Sequence, residues 1–123
     1  PQSLVFSVAA IITEELFFRG FLLHRCGLVM QAYTFAMAHL SIGDPLSLVH
    51  SALLWPHYFL LGLGFGVIAE NTGFHVSAIA HAAYNAVALT YTLPLELGAW
   101  YALLGFDAAA VLAVSAYYLS LGK

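Results

Sequence analysis

Two adjacent carboxylates and an arginine stand inside an apolar stretch that runs from Leu4 to Leu23, in the segment Thr13-Glu14-Glu15-Leu16-Phe17-Phe18-Arg19-Gly20. Asp, Glu, Lys and Arg together number nine in the whole chain, and this segment holds three of them. An apolar run of that length can cross a membrane. Charge is costly there, so each of the three groups needs a partner or a function. On a helix Glu15 and Arg19 are i and i+4 and share a face, so they can pair. Glu14 is rotated from Glu15 by about 100° and points elsewhere. The spacing therefore ties down one carboxylate and leaves the other free.

Two more pairs repeat the i, i+4 spacing: Phe35 with His39, and His81 with Asn85. A carboxylate and a histidine beside one water can orient it and take its proton. A second histidine and an amide can donate hydrogen bonds to the oxyanion that then forms. A low-dielectric surrounding strengthens both effects. This is the chemistry of amide hydrolysis.

The elements that would position these groups are all helical. The pattern predicts a first helix from about Ser3 to His24, closed by Arg25-Cys26-Gly27, and a second from about Leu28 to Ile42. Gly43-Asp44-Pro45 predicts a turn, with Asp44 as cap and Pro45 at the first helical position. A third helix is expected from about Leu46 to Asn71, kinked or broken at Pro56. A fourth is expected from about His75 to Thr92, stopped by Pro94. Beyond it, Gly105-Phe106-Asp107 favours two pieces, with Asp107 capping Ala108 to Leu121. Depths then follow from the helical rise. Counted from one membrane side, Glu14 and His39 each lie about 16 Å in, and His81 and Asn85 about 9 and 15 Å in. All four groups fall in one layer.

Ordered in this way, the three clusters resemble the motifs of the CPBP family, the CAAX prenyl proteases and bacteriocin-processing (Abi) proteins. The resemblance rests on Glu14-Glu15-x-x-x-Arg19, Phe35-x-x-x-His39 and His81-x-x-x-Asn85. Phe18-Arg19-Gly20, Ala38-His39-Leu40, Gly62-x-x-x-Gly66 and Thr72-Gly73 also match the usual surroundings, and the match covers about residues 10 to 90. It implies an intramembrane endopeptidase, metalloprotease-like or of glutamate type, in a prokaryotic cell membrane. It implies Glu14 and His39 as water activators, His81 and Asn85 as oxyanion stabilisers, and Glu15, Arg19 and Phe35 in support. No obligatory cofactor is expected, because no His-x-x-x-His pair shares a helix. Zinc, if bound, would sit on Glu14, His39 and His81.

Composition agrees with a membrane protein. The 123-residue chain is 63% hydrophobic and only 7% charged, against roughly 25% charged residues in a soluble domain. We expect one all-α domain over residues 1–123, a polytopic bundle with about five membrane segments. The chain opens at Pro1 without a Met, so it is expected to be a fragment lacking N-terminal segments. A net charge of -3 and no basic patch exclude nucleic acid as a partner; the partners expected are a peptide or protein substrate and the lipid bilayer. Lone Cys26 excludes an internal disulfide. Gly62 and Gly66 form a small-residue face for close helix packing, not a nucleotide loop. His24, His50, His57 and His75 fall near expected helix ends and read as interfacial. Trp55, Trp100, Tyr101, Tyr117 and Tyr118 suit an aromatic belt. The rival readings are a non-catalytic bacteriocin-immunity or scaffold protein on the same fold, which the intact constellation disfavours, and a small transporter, which would require inverted repeats.

Overall fold

A computed structural model describes residues 2–88 and 96–122. Among the described residues every regular element is helical: α1 (Gln2–Glu15), a π-helical stretch (Leu16–Leu22), α2 (Leu23–Cys26), α3 (Leu28–Ala38), α4 (Pro45–Leu53), α5 (Trp55–Thr72), α6 (Phe74–Ala88) and α7 (Leu97–Ser120). The all-α expectation holds. The expected end of the fourth helix at Thr92 and the stop at Pro94 lie outside the described residues.

α1, the π stretch and α2 follow one another without a break, since Glu15 and Leu23 both keep right-handed helical backbone. The chain turns at Gly27, whose φ of 86° is open to glycine and strained for other residues. The second helix stops at Ala38 rather than at Ile42. The reason is local: the His39 ring donates from Nδ1 to the Phe35 carbonyl at 2.8 Å, and the His39 backbone N–H moves to the Ala36 carbonyl. Asp44 caps α4 as expected, accepting from the Ser47 N–H at 2.9 Å with Pro45 at the start of the helix. The break near Pro56 also appears: α4 and α5 meet at Leu54 with a bend of 48°. Pro56 has no N–H to carry the helical ladder across that point.

One expectation fails at the C-terminal helix. Gly105-Phe106-Asp107 does not divide it, and α7 runs unbroken through all three residues. Asp107 caps nothing. Its side chain is buried and bonded to His57 of α5, and this partner on another helix meets the need that a cap would have met.

α5 lies against α3, α6 and α7. Its Gly62 and Gly66 form the close face against α3, and the space where a Cβ would sit is filled. At Gly62 it would fall 2.9 Å from the Ala32 Cα. The same closeness lets the buried Gln31 amide donate to the Gly62 carbonyl at 2.8 Å.

The interior is unusually polar. Among the described residues, nine hydrophobic ones are buried, beside eight polar or charged ones: Glu15, Arg19, Gln31, Ser51, His57, Ser77, His81 and Asp107. The surface is the reverse, with Phe6, Ile12, Phe17, Phe21, Val29, Ile79, Phe106 and Leu112 among the exposed large apolar side chains. Lipid suits such a surface, and internal hydrogen bonding suits such an interior. Among the described residues, α7 alone is long and apolar enough to cross a membrane by itself, and α4 with α5 reaches the same standard only as a bent pair. The expected count of five crossings is thus not established by helix length.

Candidate active site

Glu15 is the anchor. It has no solvent exposure, and three donors converge on its carboxylate. Arg19 Nη1 reaches Oε1 at 2.9 Å, His81 Nδ1 reaches the same oxygen at 2.9 Å, and the Ser77 hydroxyl donates to Oε2 at 2.8 Å. The i, i+4 pair read from the sequence is therefore present, and α6 adds two further bonds to it.

Arg19 is buried as well and leans on aromatic faces. Its guanidinium carbon lies 4.5 Å from the centre of the Phe35 ring, 5.2 Å from Phe65 and 5.9 Å from Phe18. Its Nε and Nη2 have no hydrogen-bond partner among the described residues, and the ring faces supply the attraction instead. The π-helical turn helps to set this arrangement. It bonds the Leu23 N–H to the Phe18 carbonyl, five residues back, so that Phe18 and Leu23 both face inward. Such wide turns occur often at functional sites.

Glu14 is different, as the spacing predicts. Its side chain is 37% exposed, and its Oε2 stands 3.5 Å from His81 Nε2. His81 thus lies between the two carboxylates. Its Nδ1 proton goes to Glu15, which fixes the ring and presents Nε2 towards Glu14.

His81 also borders a second group. A cavity of about 190 Å³ is lined by Phe35, His39, Tyr58, His81, Tyr84 and Asn85, with Leu61, Phe65 and Ala88 completing the wall. Phe35 and His39 face it one helical turn apart, with ring centres 4.4 Å apart. The His39 ring is stacked on Tyr58 at 4.4 Å. Because its Nδ1 proton goes to the Phe35 carbonyl, neutral His39 carries its lone pair on Nε2.

The structure thus brings Glu14, Glu15, Arg19 and His81 together at one end, and Phe35, His39, His81 and Asn85 around the cavity, with His81 common to both. The ion pair of Glu14 is with His81. Glu14 is not among the residues that line the cavity. Glu14, His39 and His81 do not gather into a metal-binding cluster, and no group of three or more His, Cys, Asp or Glu among the described residues does. The residues present do not fit a zinc ion on that set.

Three side chains were missed or misread in the sequence. Ser77 bonds Glu15 and lies one turn before His81, so the i, i+4 stripe Ser77, His81, Asn85 carries its signal. His57 is buried, not interfacial: Nδ1 bonds Asp107 and Nε2 bonds the Tyr84 hydroxyl at 2.6 Å. Asp107 gave the clue, as a single carboxylate within an apolar helix.

The description "Type II CAAX prenyl endopeptidase Rce1-like" belongs to a family model that matches residues 1–87. The chain belongs to this family. The match covers every motif named above, from Glu14 to Asn85, and bears out the resemblance read in the sequence. The family is membrane-embedded and its activity is that of a CAAX-type protease. No curated protein and no solved structure matches the chain.

Proposed function

We propose that this chain is an intramembrane endopeptidase that hydrolyses a peptide bond of a prenylated, membrane-associated protein or peptide, in a prokaryotic cell membrane. The observation that carries this reading is the placement of His81, held by Glu15 on one ring nitrogen and facing Glu14 with the other. The separation of 3.5 Å to Glu14 is longer than a hydrogen bond, and a water beside both groups can bond to each.

In the proposed reaction Glu14 takes a proton from that water, and the lone pair on His39 Nε2 helps to orient it. The water oxygen adds to the substrate carbonyl carbon. His81 acts as the imidazolium held between the two carboxylates, so its Nε2–H and the Asn85 amide donate to the carbonyl oxygen as it becomes an oxyanion. Glu15 and Arg19 are the positioning pair: Glu15 holds the His81 ring through Nδ1–H, and Arg19 and Ser77 hold Glu15. Phe35 supports the His39 ring. No step passes through a metal ion.

The test is a comparison of membrane proteomes between cells carrying the wild type and cells carrying Glu14→Gln. The expected result is a membrane protein that keeps its C-terminal residues only in the variant. Identical C-termini in both, with both proteins present at equal levels, would overturn the assignment.

A further inference from the structure

A second hydrogen-bonded constellation reaches the cavity through Tyr84, and the reaction as proposed so far does not use it. Asp107 of α7, His57 of α5 and Tyr84 of α6 form a chain of two hydrogen bonds across residues 50 and 27 apart in sequence. Asp107 is the one buried residue of α7 among those described, and His57 is 5% exposed. Tyr84 directly precedes Asn85 and lines the same cavity as His39, His81 and Asn85. It also lines the larger apolar cavity of about 640 Å³ between α5, α6 and α7, where His57 and Asp107 lie. Tyr84 therefore stands between the buried pair and the catalytic space.

This arrangement addresses a need that Glu14, His39, His81 and Asn85 leave open. Peptide hydrolysis requires two proton movements: one proton leaves the water, and another must reach the amine nitrogen as the C–N bond breaks. Glu14 is placed for the first. An amine anion is a very poor leaving group, so the second needs an acid. A carboxylate that orients a histidine, which in turn contacts a hydroxyl, is the arrangement by which proteins tune a hydroxyl for proton transfer.

We propose that Tyr84 is the general acid of this protease, and that His57 and Asp107 are positioning residues that hold and recharge it. The proposal rests on the peptidase reading of the site given above. Asp107 accepts from His57 Nδ1–H and balances the charge of the doubly protonated ring. As the C–N bond of the tetrahedral intermediate breaks, the Tyr84 hydroxyl proton passes to the amine nitrogen. The Tyr84 oxygen takes the proton from His57 Nε2, which leaves the ring neutral with Nδ1–H still on Asp107. The proton that Glu14 took from the water returns to His57 through solvent. The cycle consumes one water and needs no other reactant.

An ester leaving group separates this role from a structural one, because an alkoxide depends far less on an acid than an amine does. Wild type, Tyr84→Phe and Asp107→Asn are purified in detergent as full chains. Each is assayed on a farnesylated CAAX peptide and on the matching depsipeptide, in which the scissile amide is an ester. Tyr84→Phe should lower kcat on the amide about 100-fold with KM unchanged, which is within the usual range for a lost general acid, and lower kcat on the ester by less than about 5-fold. Asp107→Asn should follow the same pattern to a smaller degree, with its melting temperature recorded alongside. Glu14→Gln should lose both substrates equally, and a Glu14→Gln protein that keeps both marks a failure of the hydrolytic reading itself. Equal losses of amide and ester activity in Tyr84→Phe, or no loss in either, would overturn the assignment. A wild type that cleaves neither substrate would overturn the peptidase reading and this inference with it.

Discussion

Replacing Glu15 by Gln keeps the side-chain shape and removes one charge at the centre of the bundle. The consequences follow from its three partners. The carboxylate accepts from Arg19, His81 and Ser77, and an amide cannot accept all three, because its NH2 group would face a donor. Arg19, about 1% exposed, would lose its counter-ion while remaining buried. Breaking a buried ion pair by removing one partner costs about 3–5 kcal/mol. The assay is equilibrium unfolding of the full chain in mixed micelles, followed by circular dichroism, for Glu15→Gln, Arg19→Met and the double variant. Each single variant should fall below the wild type by about 3 kcal/mol or more. The double variant should recover part of the loss, since it removes both charges and leaves neither buried without its counter-ion. A Glu15→Gln protein within about 1 kcal/mol of the wild type would refute the reasoning, as that is below the penalty for an unpaired buried charge. So would a double variant no more stable than the worse single one.

Three further outcomes are expected. Gly62→Val should loosen α3 from α5, because even the first added carbon falls 2.9 Å from the Ala32 Cα; overpacking of this kind costs about 1–3 kcal/mol, and unfolding in micelles reads it. The Asp44 carboxyl is held below the usual carboxylate range by the Ser47 backbone N–H and then by the Ser47 hydroxyl. Its folded value lies below its unfolded one, so its stabilisation is present above the ordinary carboxylate range and is lost as pH falls through the depressed value; Asp44→Ala should flatten that acid-side slope in unfolding curves measured from neutral pH downwards. Exhaustive chelation should leave peptide cleavage unchanged, and activity that vanishes and returns with stoichiometric zinc would contradict the metal-free reaction proposed here.

The site was more legible in the sequence than the membrane topology was. Charges and histidines are so rare in this chain that each one stands out, and the i, i+4 spacing alone separated bound Glu15 from accessible Glu14. Similar depth in three helices predicted a common layer, and His81 of α6 contacts both carboxylates. What spacing cannot give is the rotation of one helix against another. The contact of Glu14 with His81 of α6 is of this kind. The π-helical turn from Leu16 to Leu22 was also hidden, because nothing in Leu-Phe-Phe-Arg-Gly-Phe-Leu distinguishes a five-residue bond from a four-residue one. His57 and Asp107 were misread for a shared reason. His57 follows Pro56 and Asp107 lies two residues after Gly105, which signals a helix end locally, while the partner that buries each lies 50 residues away. The early end at Ala38 has a similar cause, since a side-chain bond to the Phe35 carbonyl displaces the helical ladder.

The central claim is that Glu14 is the free carboxylate that activates water beside His81. It is tested most directly by the cleavage rate of a farnesylated CAAX peptide by purified protein in lipid vesicles, wild type against Glu14→Gln. Because Glu14 is partly exposed, the substitution should leave the unfolding midpoint close to that of the wild type. It should also lower kcat by about 100-fold or more, the contribution expected of a positioned general base. A folded Glu14→Gln protein that cleaves the peptide at near the wild-type rate would contradict the account.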